Sequence, residues 1–283
     1  MKPFPRVSIV VLNYNGKDDL RRCLISLFRL NYPNFEVVVV DNASEDGSLE
    51  EAKQFFPKVS YIKNDQNLGF SAGNNVGIRY SLEKMADFVL LLNNDTEVEE
   101  NFLTKIVDEA QKNPKAGLVS PLILAGSAED VWFSGAKIDW LRMRTLHTDG
   151  ALDALSGCAM LIRAEVFAKI GLFDEDFFLY WEDTDFSLRA RRAGFESLLV
   201  REAVVRHFEK SEKNKKNKTY WLVLSGLIFF QKNSSNYLKA WYGFYVYLRK
   251  IKNKLDLRKD AHNEIAQAVE KAYRDFKQFR AKQ

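Results

Sequence analysis

The chain has 283 residues, 46% of them hydrophobic and 28% charged, an ordinary globular composition with ample material for a core. A formal net charge of +4 is mild but uneven: basic residues crowd from Arg189 onward, while acids gather at Asp41–Glu51, Asp95–Glu100 and Asp174–Asp185. That asymmetry suits a basic tail facing an anionic partner, and with no Arg-rich recognition helix or aromatic-basic repeat, nucleic acid is not expected.

The opening "MKPFPRVSIVVLNYNG" runs straight into a strand without a signal-peptide layout, and no 18-residue apolar run predicts a membrane span. Cys23 and Cys158 fit no metal spacing and read as buried thiols of a reducing compartment, so the expected location is cytoplasmic.

Strands and helices alternate through the first third. "RVSIVVLNYN" is a β-branched run closed by a polar turn, and Leu20, Cys23, Leu24, Leu27 and Phe28 follow at helical spacing. "FEVVVVDNAS" predicts a second strand, then a helix with Leu49, Ala52, Phe55 and Phe56 on one side. "VSYIKN" and "DFVLLLNND" supply further strands, the latter with Val89–Leu92 buried on both faces. Phe102, Leu103, Ile106, Val107 and Ala110 mark the next helix. This order predicts an α/β fold with a mainly parallel sheet and right-handed crossovers.

Ligands of such sheets bind beyond the carboxyl ends of the strands. Asn13-Tyr14-Asn15, Asp41-Asn42 and Asn93-Asn94-Asp95 all fall where a strand stops. Turn-forming Asn and Asp account for any one of these clusters, less readily for all three. Asp95 then has two readings: a hard-cation ligand completed by substrate phosphates, or a cap on the helix near Asn101.

Residues 125–153 give no clear pattern. In "FLYWEDTDFSLRARRAG" the helical phase places Asp183 with Phe186, Ala190 and Ala193 on the buried face. Glu182, Asp185, Arg189 and Arg192 fall on a stripe expected to be solvated. Asp183, against Tyr180 and Trp181, is either a general base of raised pKa or a first-turn acid complementing the helix dipole. His207 alone is a weak ligand signal, and "EKSEKNKKNK" behind it reads as a mobile basic loop or a solvated linker. "NLGFSAGNNVGI" places Gly69, Gly73 and Gly77 among Asn67, Asn74 and Asn75, where glycines let the chain approach a ligand. It lacks the dinucleotide fingerprint, and no P-loop or nucleophile elbow occurs.

From Arg6 to Ser211, "SIVVLNYNG", "VVVVDNASEDGS", "NLGFSAGNNVGI", "LLLNNDTEV", "SGCAMLIRAEVF" and "GLFDEDFFLYWEDTDFSLRARRAG" resemble glycosyltransferase family 2, its rhamnosyltransferase-like branch. The resemblance implies a GT-A fold over residues 1–211; the composition of residues 212–283 predicts a basic loop and a C-terminal helical extension. It implies an inverting transfer of a sugar, rhamnose from dTDP-rhamnose or otherwise a UDP-sugar, onto a glycan or lipid-linked acceptor in cell-surface polysaccharide assembly. Galactofuranose, glucose and N-acetylglucosamine are alternative sugars, and a non-catalytic nucleotide-sugar-binding scaffold is an alternative role.

Carried over by position, Asp41 contacts the donor's base, Asn13, Tyr14 and Asn15 line its pocket, and Asn67, Gly73, Asn74, Asn93 and Asn94 belong to the donor site. Asp95, with His207, holds Mg²⁺ or Mn²⁺, and Asn93 stands where the family's motif carries an acid. Asp183, in the Glu182-Asp183 pair, is the implied catalytic base. The aromatic and basic tail from Thr219 is expected to be helical. It lies on an anionic membrane surface, packs on the catalytic domain, or forms a homodimer.

Overall fold

The computed structural model describes residues 4–150, 152–209 and 215–282. The β-branched run after Arg6 forms β1 (Val7–Asn13), and the expected alternation follows: α1 (Lys17–Leu27), β2 (Phe35–Asp41), α2 (Ser48–Phe55), β3 (Ser60–Lys63). Then come α3 (Gly69–Glu83), β4 (Phe88–Asn93), β5 (Thr96–Val98), α4 (Phe102–Lys112) and β6 (Ala116–Ala125). The poorly patterned middle resolves into three short strands, β7 (Val131–Phe133), β8 (Ala136–Asp139) and β9 (Arg144–His147). The second half contains β10 (Ala159–Arg163), α5 (Ala164–Ile170), α6 (Glu182–Arg192) and β11 (Glu196–His207). Three long helices close the chain: α7 (Lys215–Asn233), α8 (Asn236–Lys259) and α9 (Glu264–Lys282).

The main sheet runs β3-β2-β1-β4-β10-β6-β11-β5, with β7 along β6, and β8 and β9 form a separate hairpin. Pairings β1–β2, β1–β4, β2–β3 and β6–β11 are parallel. Strand β10 is antiparallel to both β4 and β6, and β5 to β11. The sheet is therefore mixed and mainly parallel, as expected, and Val89–Leu92 are buried on both faces.

Alternation along β1 sends Val7, Ile9 and Val11 into one layer with Leu20, Leu24, Phe102 and Ile106, and Val10 into the other with Ile78, Phe186 and Ala190. Phe28 and Phe55, expected on buried helix faces, are instead about half exposed, because each sits at the last turn of a helix beyond the sheet's cover.

A second correction concerns α6. Glu182 and Asp185 are buried, not solvated. The reason is the tail: α7 lays Leu224, Leu227, Phe229 and Phe230 against Phe177 and Leu188, with Tyr242 and Tyr273 behind them. Asn233 Nδ2 donates to Asp185 Oδ1 (2.9 Å), and Arg192 Nη1 and Nη2 donate to the Asn233 side chain and carbonyl (2.9 and 3.0 Å). Asp185 also pairs with Arg189 at 2.6 Å, the i, i+4 partnership the sequence suggested, but in the interior. Helices α7–α9 thus share a core with the site-bearing part. The expected boundary at residues 211 and 212, and residues 210–214 of the basic loop, lie outside the described residues. Among the described residues no helix is long and apolar enough to cross a membrane.

Candidate active site

Register brings the polar strand ends together: Asn13 stands beside Asp41, and Leu12 beside Asn93. Asn13 is fully buried and acts as a hub. Its Nδ2 donates to Asp41 Oδ1 (2.9 Å) and Ser48 Oγ (2.8 Å), and its Oδ1 accepts from Asn94 Nδ2 (2.8 Å). Gly16 makes room for this: a Cβ there would lie 2.2 Å from Asn94 Nδ2.

Asp41 is buried as well, its other oxygen accepting from the Ser44 amide (3.0 Å), so both its oxygens order the turn into α2. Asn15, at φ +50°, accepts from the Glu45 amide, whereas the ring of Tyr14 is half exposed at the edge. Of the expected donor residues, Tyr14 and Asn15 are the exposed ones. At Gly73 a Cβ would meet Leu12 Cδ1 at 2.7 Å and Asn42 at 2.9 Å, so the glycine permits the close packing of α3 on the sheet. Asn67 accepts from Asn42 Nδ2 (3.3 Å) and from the Gly69 amide (2.9 Å), and Asn74 donates to the Phe70 carbonyl (3.0 Å).

Beyond Asn93 the chain turns into β5, which pairs with the end of β11 so that Thr96 faces His207. This pairing delivers Asp95 to His207: Asp95 Oδ1 lies 3.2 Å from His207 Nε2. That oxygen is buried and receives no hydrogen bond, and His207 Nδ1 also has no partner. Asp95 does not cap α4, whose N-cap Asn101 has no side-chain cap bond. An unpartnered carboxylate oxygen beside an imidazole nitrogen is a donor pair that fits a hard or borderline divalent cation. Among the described residues no group of three or more such side chains converges, so phosphate or water oxygens would complete the shell.

Asp183 opens α6 behind an unusual turn. Tyr180 and Trp181 both have positive φ, +67° and +71°, a conformation that costs a non-glycine residue about 1–3 kcal/mol. Helix α7 holds it there: the Trp181 indole donates to the Leu222 carbonyl (3.1 Å) and packs on Phe229 and Phe230, and Ser225 donates to the Leu179 carbonyl (2.8 Å).

Asp183 Oδ2 accepts from the Gly157 amide (3.0 Å) and Oδ1 from the Thr184 amide (2.6 Å). Burial raises its pKa, and these amide bonds oppose the shift. Burial, reinforced by the charge of Asp183, pushes Glu182 well above the usual carboxylate range, and its Oε2 is buried without a partner. A carboxylate with a raised pKa at the wall of a cavity has the properties of a general base.

That cavity, of about 340 Å³, is also lined by Ser156, Tyr180, Trp181 and Lys218, and by Trp132 and His147. Trp132 and His147 were missed in the sequence, because strands of three and four residues give no period to read. Trp132 joins the two halves of the site: its ring stands edge-on to His207, centroids 4.5 Å apart, while its indole donates to Glu209 (3.2 Å). Asn75 was also unassigned. It clamps the loop ahead of Asp183, bonding the Phe173 carbonyl (2.9 Å), Phe173 amide (3.0 Å) and Glu175 (2.9 Å).

Known proteins share both fold and sequence with this chain. Residues 8–171 match the model of glycosyl transferase family 2. The chain is 31% identical over 198 residues to the low-salt glycan biosynthesis hexosyltransferase Agl10 of Haloferax volcanii, covering 66% of this chain and 62% of that protein. It is 28% identical over 230 residues to the N-acetylglucosaminyl-diphospho-decaprenol L-rhamnosyltransferase of Mycobacterium tuberculosis, covering 70% of this chain and 75% of the relative.

Among solved structures, GalNAc-T7 with UDP, GalNAc and Mn²⁺ superposes with a TM-score of 0.71 at 18% identity, over 96% of this chain and 55% of that one. A mannosyltransferase from Pyrobaculum calidifontis with GDP-Man and Mn²⁺ gives 0.62 at 16% identity, over 82% and 64%. These two establish the shared GT-A fold. With the family match spanning more than half its length, this chain belongs to glycosyl transferase family 2.

Proposed function

We propose that this protein is a divalent-cation-dependent inverting glycosyltransferase that moves a sugar, rhamnose from dTDP-rhamnose, onto a hydroxyl of a lipid-linked glycan acceptor. The observation that carries the reading is the pairing of two chemistries on one sheet edge. The Asp95–His207 donor pair lies on one side, and a half-buried Asp183 of raised pKa lines a cavity on the other. Rhamnosyltransferases among the relatives support the choice of sugar and, through the diphospho-decaprenol of one name, the acceptor class.

Residues 1–211 carry the reaction in this reading, and helices α7–α9 of the C-terminal part form its cover. The nucleotide lies over the Asn13–Asn15 turn, with Tyr14 against its base and Asp41 ordering the turn beneath. Asn93 and Asn94 flank the diphosphate, and Asn67 and Asn74 brace the neighbouring loop. Asp95 and His207 would hold Mg²⁺ or Mn²⁺, which when bound would neutralise charge on the departing diphosphate. Asp183 takes the proton from the acceptor hydroxyl as that oxygen attacks the anomeric carbon from the face opposite the nucleotide. Burial and the neighbouring Asp183 both favour the neutral form of Glu182, which would limit like-charge repulsion on the base. One displacement inverts the anomeric centre.

The outer face of α8 supports a location at a membrane surface. Tyr237, Trp241, Phe244, Leu248, Ile251 and Leu255 recur at intervals of four and three, and all are exposed. Lys250, Lys252, Lys254, Arg258 and Lys259 flank the stripe against the single acid Asp256. A second copy would oppose lysine to lysine, whereas an anionic bilayer complements both the apolar stripe and its charge.

The test is a screen of sugar nucleotides with Mn²⁺, followed by NMR of the product's anomeric configuration. Turnover of dTDP-rhamnose with inversion is expected. Retention of configuration, or no turnover with any sugar nucleotide, would overturn the reading.

A further inference from the structure

A second cavity, of about 460 Å³, lies between the β8–β9 hairpin and helices α7–α9. Arg142 and Arg144 line it from the hairpin and Arg249 from α8, while Trp181, Leu222 and Phe230 give it apolar walls. Arg189, inside the fold, combines a 2.6 Å ion pair with bonds to two carbonyls. The three arginines at the cavity are exposed and hold fewer contacts. Asp139 is the carboxylate near two of them, at 3.8 Å from Arg142 and 3.6 Å from Arg144, and Arg249 hydrogen-bonds Tyr273 but makes no ion pair among the described residues. Three guanidinium charges against one carboxylate leave a net charge of +2 (3 − 1) at a partly apolar site.

This cavity adjoins the one that Asp183 lines: Thr145, Trp181 and Leu222 border both. A molecule presenting a hydroxyl to Asp183 and spanning both cavities would run alongside Trp181. Guanidinium forks bind phosphate oxygens in pairs, and the aromatic and aliphatic walls take a hydrocarbon next to the phosphate. Beside the cavity-lining Tyr245, Val246 and Arg249, the same helix exposes Trp241, Phe244 and Leu248. An alkyl chain leaving the cavity would continue along that apolar face.

We propose that the cavity bounded by Arg142, Arg144 and Arg249 binds the phosphate or diphosphate of an amphiphilic acceptor, while Asp183 in the adjoining cavity faces the acceptor's sugar. This rests on the transferase reading for the role of Asp183, but the arginine site is testable without turnover.

The experiment is calorimetric titration of the whole chain in EDTA with farnesyl diphosphate, farnesol and inorganic pyrophosphate. Farnesyl diphosphate is expected to bind at least about tenfold tighter than either fragment. Arg142→Ala and Arg249→Ala should each weaken it by about tenfold, in line with the loss of one charge-assisted contact. Neither variant should change the affinity for a nucleoside diphosphate measured with Mn²⁺.

Pyrophosphate binding as tightly as farnesyl diphosphate would make this a simple phosphate site and overturn the proposal. Equal binding of farnesol, or unchanged affinity in both arginine variants, would overturn it too. Loss of nucleotide binding in the wild-type chain with farnesyl diphosphate binding intact would instead sink the transferase reading alone.

Discussion

The indole of Trp132 stands edge-on to the imidazole of His207, ring centres 4.5 Å apart, and the same indole lines the cavity of Asp183. One side chain therefore buttresses the proposed cation ligand and shapes the proposed acceptor site. Trp132→Ala is expected to lower both Mn²⁺ activation and acceptor kcat/KM by roughly 10–100-fold, the usual effect of removing a ligand's support. Trp132→Phe, which keeps an aromatic edge, should recover most of the loss. Steady-state kinetics across a Mn²⁺ series checks this, and an unchanged Mn²⁺ requirement in Trp132→Ala would refute the coupling.

Asp183→Asn keeps the shape of the side chain and removes the base. Turnover should fall by roughly 10²–10⁴-fold while nucleotide binding with Mn²⁺ stays at the wild-type level. A non-catalytic sugar-nucleotide scaffold would show no turnover to lose, so the pair of measurements separates the two roles.

The raised pKa of Glu182 gives a pH prediction. A carboxyl whose folded pKa lies above its unfolded value contributes stability that is fully present below the ordinary glutamate range. That contribution is lost as pH rises through the folded value. Glu182→Gln should therefore match the wild-type melting temperature near pH 4 and exceed it at pH 8. Thermal melts across that range decide it, and a variant less stable than wild type at pH 8 would contradict the assignment.

Asn233 on α7 is the clamp for Asp185 and Arg192, so Asn233→Ala strips buried Asp185 Oδ1 of its donor and removes one of the two bonds that Arg192 makes to Asn233. A loss of about 2 kcal/mol is expected in denaturant unfolding. Because the α7 core includes Phe177 and Leu188, truncation before α7 should yield an unfolded or aggregated chain. Membrane contact must therefore be tested on the exposed stripe itself. Trp241→Glu with Phe244→Glu should abolish co-sedimentation with anionic vesicles and leave the fold intact. Unchanged sedimentation, or a shift in oligomeric state in place of it, would exclude the membrane surface as the occupant.

Much of this site was legible as sequence because it is local. β1, β2 and β4 are short apolar runs, and the polar residues that end them fall at one sheet edge once the strands are parallel. Helical phase singled out Asp183 for the buried face, where the structure leaves it half-buried beside the buried Glu182 and Asp185. What escaped notice depends on contacts distant in the chain. Glu182 and Asp185 looked solvated because nothing in α6 announces that α7 will cover it. The packing role of Gly73 was not legible because its partners, Leu12 in β1 and Asn42 just after β2, come from distant parts of the chain. Trp132 and His147 sit in strands too short to show alternation. Even the nearness of Asp95 and His207 depends on the pairing of β5 with β11, which no local pattern encodes.

The central claim is that Asp95 and His207 hold the cation on which sugar transfer depends. The most direct test measures nucleoside-diphosphate binding and sugar-nucleotide turnover with and without Mn²⁺ in the wild-type chain and in Asp95→Ala. The account predicts that wild-type binding and turnover both require the metal and that Asp95→Ala loses the metal-dependent part of each. Full metal-dependent turnover in Asp95→Ala, or wild-type turnover undiminished by EDTA, would contradict it.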